Sequence, residues 1–385
     1  MQRRKFLRLA SSGLVLSCLS VDDWLVASPL RGAGGGGVET SGLEFITPAT
    51  QAAINRGLEY LAKNQQADGS FVTTGFYRQN VAVTALAGMA CLASGSTPGR
   101  GRYGKVLDKV VKFLLENTDA SGFINVERGA HGPMYGHGFA ALFLSEVYGM
   151  TRQPEIREKL KLAINLIIKT QNREGGWRYH PVRKDADLSV TVCQIMALRA
   201  ARNAGISVPK STVDLCVDYV RKSQNPDGGF KYQLNVGSQS VFARSAAGLV
   251  ALYNAGIYEG KGIQRGLRYI EQFTPRGGRS FSHDVHYYYG QYYAVQAMWH
   301  AGGERWRKWY PAVRDELLNG PESHRQKFDG SWSDGSIGSE YGTAMACIVL
   351  QIPNNFLPIF HSADVSRRTE SGQGRGAKLN LEGDR

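Results

Sequence analysis

Gln171-Asn172-Arg173-Glu174-Gly175-Gly176-Trp177 and Gln224-Asn225-Pro226-Asp227-Gly228-Gly229-Phe230 stand 53 residues apart and share one pattern. A glutamine opens each stretch, glycines allow a tight backbone turn, and an aromatic residue closes it, shaped to wedge between neighbouring helices. The pattern extends both ways, to Gln65-Gln66-Ala67-Asp68-Gly69-Ser70-Phe71 before them and Phe328-Asp329-Gly330-Ser331-Trp332 after them. Two degenerate copies without the glutamine are marked by Phe123 and Phe281. The six markers Phe71, Phe123, Trp177, Phe230, Phe281 and Trp332 are then spaced by 52, 54, 53, 51 and 51 residues. A near-constant period of this length denotes one supersecondary unit, repeated so that each copy buries its apolar face on its neighbours.

Around each turn lie two helices of different character. The first kind, such as Val213-Asp214-Leu215-Cys216-Val217-Asp218-Tyr219-Val220-Arg221-Lys222, changes face as a half-exposed helix does. The second, such as Val81-Ala82-Val83-Thr84-Ala85-Leu86-Ala87-Gly88-Met89-Ala90, is apolar nearly all round and so calls for burial on every side. Six buried helices inside six amphipathic ones describe an all-α fold, a single α/α toroid or α6/α6 barrel of six helical hairpins. An open solenoid is the alternative, but it would leave an apolar flank of the inner helices on its concave face.

Outward from the repeats, the 385 residues hold 42% apolar and 21% charged residues, an ordinary globular balance. No run is long and apolar enough to read as a membrane-spanning helix within the body. The net charge of +13 is spread over solvent-facing helices and the two ends of the chain. That distribution argues against a nucleic-acid partner and fits peripheral contact with anionic membranes better. Residues 1–28 read as a twin-arginine signal, with Arg3, Arg4, Lys5 and Arg8 before the apolar stretch Leu9 to Val21. Export in the folded state to the periplasm or cell envelope is expected. Val15-Leu16-Ser17-Cys18 reads as a poor lipobox that would anchor the chain at Cys18, and Leu25-Val26-Ala27 as an ordinary cleavage site. Residues 29–47 form a Gly-rich linker, 48–360 the toroid, and 361–385 a polar tail of disordered composition. Cys91, Cys193, Cys216 and Cys347 show no pairing pattern.

The Gln…Gly-Ser/Gly-aromatic turns resemble the repeated motif of squalene–hopene cyclases and of protein prenyltransferase β subunits, the prenyltransferase and squalene oxidase repeat family. The resemblance covers roughly Pro48 to Leu357. It implies the α/α toroid and an isoprenoid in the central cavity. The cyclases start their reaction with an acid in an Asp-x-Asp-Asp run. The matching stretch here is Asp187-Leu188-Ser189-Val190, with Ser189 at the acid position. The prenyltransferases hold zinc with an Asp-x-Cys pair and a later His. The nearest likeness is Asp284-Val285-His286, with Glu340 at the corresponding start of the sixth inner helix, a set able to take a divalent metal such as zinc.

In a toroid the inner helices run the same way, so their positive N-terminal ends converge on one rim. Polar residues recur there: Gln79 and Asn80, Tyr135 and His137, Asp187 and Ser189, Ser240 and Arg244, His286, and Glu340 with Tyr341. Asp187, His137 and Glu340 are candidate acids or bases, and Asp284, His286 and Glu340 candidate metal ligands. Arg244, Tyr135, Tyr289, Tyr292, Tyr341 and Trp299 are candidates to bind substrate, the arginine because a guanidinium on a buried helix needs an anionic partner. Each has a structural counter-reading: Asp187 as a helix cap, His137 as a satisfied core residue, the tyrosines as packing. Three functions stay open: an enzyme acting on an isoprenoid, a non-catalytic lipid- or partner-binding toroid, and a toroid acting on polysaccharide.

Overall fold

The computed structural model describes residues 42–73, 80–126, 132–275 and 286–361. They form twelve α-helices and no strand: α1 (Pro48–Asn64), α2 (Val81–Ala93), α3 (Gly104–Glu116), α4 (Pro133–Thr151), α5 (Pro154–Thr170), α6 (Leu188–Asn203), α7 (Lys210–Lys222), α8 (Phe242–Asn254), α9 (Lys261–Glu271), α10 (Tyr287–Ala301), α11 (Gly303–Asn319) and α12 (Ser339–Gln351). The even-numbered helices are the apolar ones. Every residue of α2 except Ala82 is buried. The odd-numbered helices bury one stripe, as in α7, where Thr212, Cys216, Tyr219 and Val220 face inward while Lys210 and Asp214 pair in solvent.

The inner helices pack in a ring: α2 on α4, α4 on α6, α6 on α8, α8 on α10, α10 on α12, and α12 back on α2. The turn glutamines join the hairpins. The Gln171 amide donates to Gly175 O within its own turn and to Thr212 O at the start of the next outer helix, both at 2.9 Å. Gln65 reaches Val106 O (3.0 Å) and Gln224 reaches Gly262 O (2.9 Å) in the same manner. Gln326, in the last repeat, donates to Ala53 O of α1 at 2.8 Å. One side chain thus makes between the last and first repeats the bond that joins neighbours elsewhere. The toroid is closed, and the open solenoid is excluded.

The glycine two residues before each wedge explains the turn. Gly175 has φ +102°, and a Cβ there would stand 2.0 Å from Leu215 O, so only glycine lets the turn touch the next outer helix. Gly122 does the same against Leu162 with φ +89°, which corrects the second marker. The residue two beyond Gly122 is Ile124, fully buried, whereas Phe123 is only partly covered. With Ile124 as the wedge, the first four wedges are separated by three equal intervals of 53 residues. Phe281 lies outside the described residues.

Each of the five described wedges is fastened by its own backbone N–H to a polar side chain on the first turns of the following inner helix. Phe71 donates to Thr84 Oγ1 (3.1 Å), Ile124 to His137 Nδ1 (3.2 Å), Trp177 to Thr191 Oγ1 (3.1 Å), Phe230 to Ser245 Oγ (3.0 Å) and Trp332 to Thr343 Oγ1 (3.0 Å). These clasps fix the starts of α2, α4, α6, α8 and α12 relative to their turns, and so set the rim. The four cysteines of the body are buried and unpaired. No described helix is long and apolar enough to cross a membrane.

Candidate functional site

A cavity of about 550 Å³ opens where the inner helices begin. Its floor follows from the clasps. Two residues before each clasp stand Ala82, Tyr135, Ser189, Ala243 and Tyr341, and on α10 Tyr289, and all six line the cavity. The large ones thus stand on α4, α10 and α12, and the small ones on α2, α6 and α8. The Tyr289 hydroxyl uses that room, passing the small Ala243 of the intervening α8 to donate to Ser189 O at 3.1 Å. Val81 and Val83 beside Ala82, and Leu86 and Phe139 deeper, make the wall apolar.

The polar side of the mouth comes from the turns after Trp177 and Phe230. Tyr179 and Tyr232 hold the same place in successive repeats, and their hydroxyls meet at 2.5 Å. Arg178 lies over both rings, 5.0 and 5.8 Å from their centroids, and pairs with Asp185 at 2.7 Å. Arg244 stands over Tyr232 at 5.7 Å, with Nε donating to Phe230 O (2.9 Å) and Nη2 to Gln239 O (2.5 Å). No carboxylate among the described residues lies within 4.0 Å of its guanidinium, and burial lowers its pKa. Sequence reasoning missed Arg178, Tyr179 and Tyr232. Their signal was positional: the first and second residues after the wedges of neighbouring repeats.

Of the residues singled out from sequence, Tyr135, Tyr289, Tyr341, Arg244 and His286 meet around the cavity. Asp187 sits just behind the wall, its side chain fully buried. It caps α6, Oδ1 accepting from Val190 N–H at 2.9 Å. Oδ2 has no well-formed hydrogen bond, and Arg178 Nε stands 4.0 Å away. Burial pushes this carboxyl up to about 6, against the lowering effects of the Val190 N–H, Arg178 and the Tyr232 hydroxyl.

The others are placed elsewhere. His137 is wholly buried with both ring nitrogens spent on backbone, Nδ1 on Ile124 N–H and Nε2 on Ala163 O, each at 3.2 Å. Burial holds its pKa down to about 4, which suits a clasp acting as a neutral ring. Glu340 turns toward α1, where Tyr60 donates to it at 3.3 Å, and it is not part of the cavity wall. Tyr292 is buried below the cavity against Phe139. Trp299 lies roughly 18 Å along α10 from its start, at the opposite end of the ring. Asp284 falls outside the described residues, and among those described no group of His, Cys, Asp or Glu converges as a metal site.

No family model matches the sequence, and no curated protein does. Solved structures do match. An inactive variant of the glycoside hydrolase family 76 α-1,6-mannanase of Salegentibacter, in complex with α-1,6-mannotriose, is 7% identical over 80% of this chain and 99% of its own, with a TM-score of 0.57. The type II terpene cyclase MstE from Scytonema, in complex with geranylgeranyl dihydroxybenzoate, is 15% identical over 80% and 98%, with a TM-score of 0.56. A family 76 mannosidase from Bacteroides thetaiotaomicron is 10% identical over 83% and 99%, also at 0.56. At such identities the likeness is one of fold. The toroid is shared, while the prenyltransferase and squalene oxidase family suggested by the turns is matched by no family model.

Proposed function

We propose that the protein binds an elongated, mainly apolar small molecule of isoprenoid type in the central cavity, entering tail first. The fold neighbours support a carbohydrate ligand at least as well as a lipid one, so the reading rests on the chemistry of the wall. The observation that carries it is that no aspartate or glutamate lines the cavity among the described residues, while Val81, Val83, Leu86, Phe139 and five tyrosines do. Glycoside hydrolysis needs two carboxylates facing the sugar about 5–10 Å apart. Asp187 faces α6 from behind the wall and has no described partner across the cavity. The volume lies in the usual range of small-molecule sites, roughly 300–1,000 Å³. The Arg3-Arg4 stretch supports placing this binding in the cell envelope.

Calorimetric titration with geranylgeraniol, an uncharged C20 prenyl alcohol, and separately with α-1,6-mannotriose tests the proposal. Saturable binding of the alcohol with a negative heat-capacity change, and none of the trisaccharide, is the expected result. Binding of the trisaccharide without the alcohol would overturn it in favour of carbohydrate.

A further inference from the structure

Resting on that reading, the charge arrangement at the mouth specifies the head of the ligand. Two guanidinium groups approach Tyr232, from Arg178 and Arg244, and their circumstances differ. Arg178 is answered by Asp185 at 2.7 Å and, more distantly, by Asp187 at 4.0 Å. Among the described residues Arg244 has neutral partners alone: the carbonyls of Phe230 and Gln239 and the ring of Tyr232. Those two carbonyls hold the guanidinium plane in place through Nε and Nη2, and no described acceptor takes the Nη1 hydrogens. A half-buried cation fixed in this way, on the wall of a cavity, has already lost part of its hydration and its side-chain freedom. An arriving anion therefore gains a charge-assisted bond without the cost of ordering the arginine.

We infer that the ligand is an amphiphile whose apolar chain fills the cavity and whose head is a single carboxylate received by Arg244. Charge balance favours one negative charge over the several of a diphosphate. Among the described residues lining the mouth, Arg244 is the arginine or lysine side chain without a carboxylate, and the Arg178 cluster is balanced without help. Geometry agrees, because a planar carboxylate matches a guanidinium edge. Distribution along the cavity agrees as well. Arg244, Tyr232, Tyr179 and His286 belong to its mouth, and Leu86 and Phe139 to its depth, so head and tail each have a place.

The test compares geranylgeranoic acid, geranylgeraniol and geranylgeranyl diphosphate on the full chain, wild type and Arg244→Gln, at one salt concentration. Wild type should bind the acid at least about tenfold more tightly than the alcohol, with the diphosphate no better than the acid. Arg244→Gln should bring the acid down to the alcohol's affinity while the alcohol changes by less than about threefold. Because Arg244 also ties two backbone carbonyls, Arg244→Lys is measured beside it and both are checked by thermal melting. Should neither variant fold, the acid-to-alcohol ratio of wild type decides. Equal affinities for acid and alcohol in wild type would overturn the carboxylate and leave the cavity reading standing. A diphosphate tighter than the acid by tenfold would also overturn it. No binding of any of the three would remove both proposals.

Discussion

The two ends of the inner barrel are built from the same six helices and have opposite characters. At the N-terminal end the helices stop short of each other around a cavity, and side chains there leave donors and acceptors unmatched, Arg244 and Asp187 Oδ2 among them. At the C-terminal end the chain after α12 crosses the ring and seals it. Gln351 donates to Ala90 O at 3.0 Å, Asn354 to Ala93 O at 3.2 Å, and the Trp299 indole to Phe360 O at 2.7 Å, while Leu357, Ile359 and Phe360 are buried. Backbone carbonyls at helix C-termini have no partner within the helix, and here side chains and the returning chain cover them. The contrast divides labour along each helix, with one end committed to stability and the other left open for a ligand.

The largest expected effect lies at the sealed end. Trp299→Ala removes the bond to Phe360 O and the edge contact with Trp306, whose ring centre is 4.8 Å away. It should cost about 3 kcal/mol in denaturant unfolding. Affinity for the C20 alcohol should stay within about twofold, since the indole is remote from the cavity. A tenfold loss of binding with unchanged stability would break the division outright.

Glu146 is an exception at the sealed end and gives a second, pH-dependent handle. It is buried in α4, takes the Ile359 N–H, and leaves Oε2 without a partner. Burial pushes its carboxyl from about 4.5 up to about 8. Folding therefore takes up a proton between those values, and stability falls as pH climbs from about 4.5 to 8. Glu146→Gln keeps the shape and removes the titration. The variant should melt close to wild type at pH 5 and higher than wild type at pH 9, by on the order of 2 kcal/mol. An equal difference at both pH values would show that packing, not ionisation, separates the two.

The repeat frame accounts for most of what could be read in advance. The period came from the turns, because Gly175, Trp177 and their equivalents are where backbone sterics leave no freedom, and closure came from inner helices such as α2 that are apolar nearly all round. Aromatic character misled once, at Phe123, since the geometric requirement is a buried wedge two residues beyond the left-handed glycine and Ile124 meets it. His137 was drawn to the site by its chemistry, yet it stands 13 residues after its wedge, as Thr84 does, and that spacing identifies a clasp. Trp299 was assigned to the cavity from its helix alone, and the rise along α10 carries it to the far end. The mouth was the least legible part. Tyr179 and Tyr232 sit in turns rather than on helix faces, and only the contact between neighbouring repeats brings them together.

Asp187 offers the smallest effect and the finest test of the contrast, because it serves both ends of the argument at once. As a cap it belongs to the frame, and as a buried carboxyl with a free oxygen beside the cavity it belongs to the mouth. Asparagine caps a helix about as well as aspartate, so Asp187→Asn isolates the charge. Burial raises the carboxyl from 3.8 to about 6, hence the folded protein holds its proton longer than the unfolded chain, and wild-type stability falls as pH rises between those values. The asparagine variant should match wild type at pH 4 and exceed it at pH 7 by about 1 kcal/mol in urea unfolding. If it is instead less stable at pH 7, then attraction from Arg178 at 4.0 Å outweighs burial. Asp187 would in that case count in the charge balance of the mouth as a full negative partner, making Arg244 the more isolated of the two arginines.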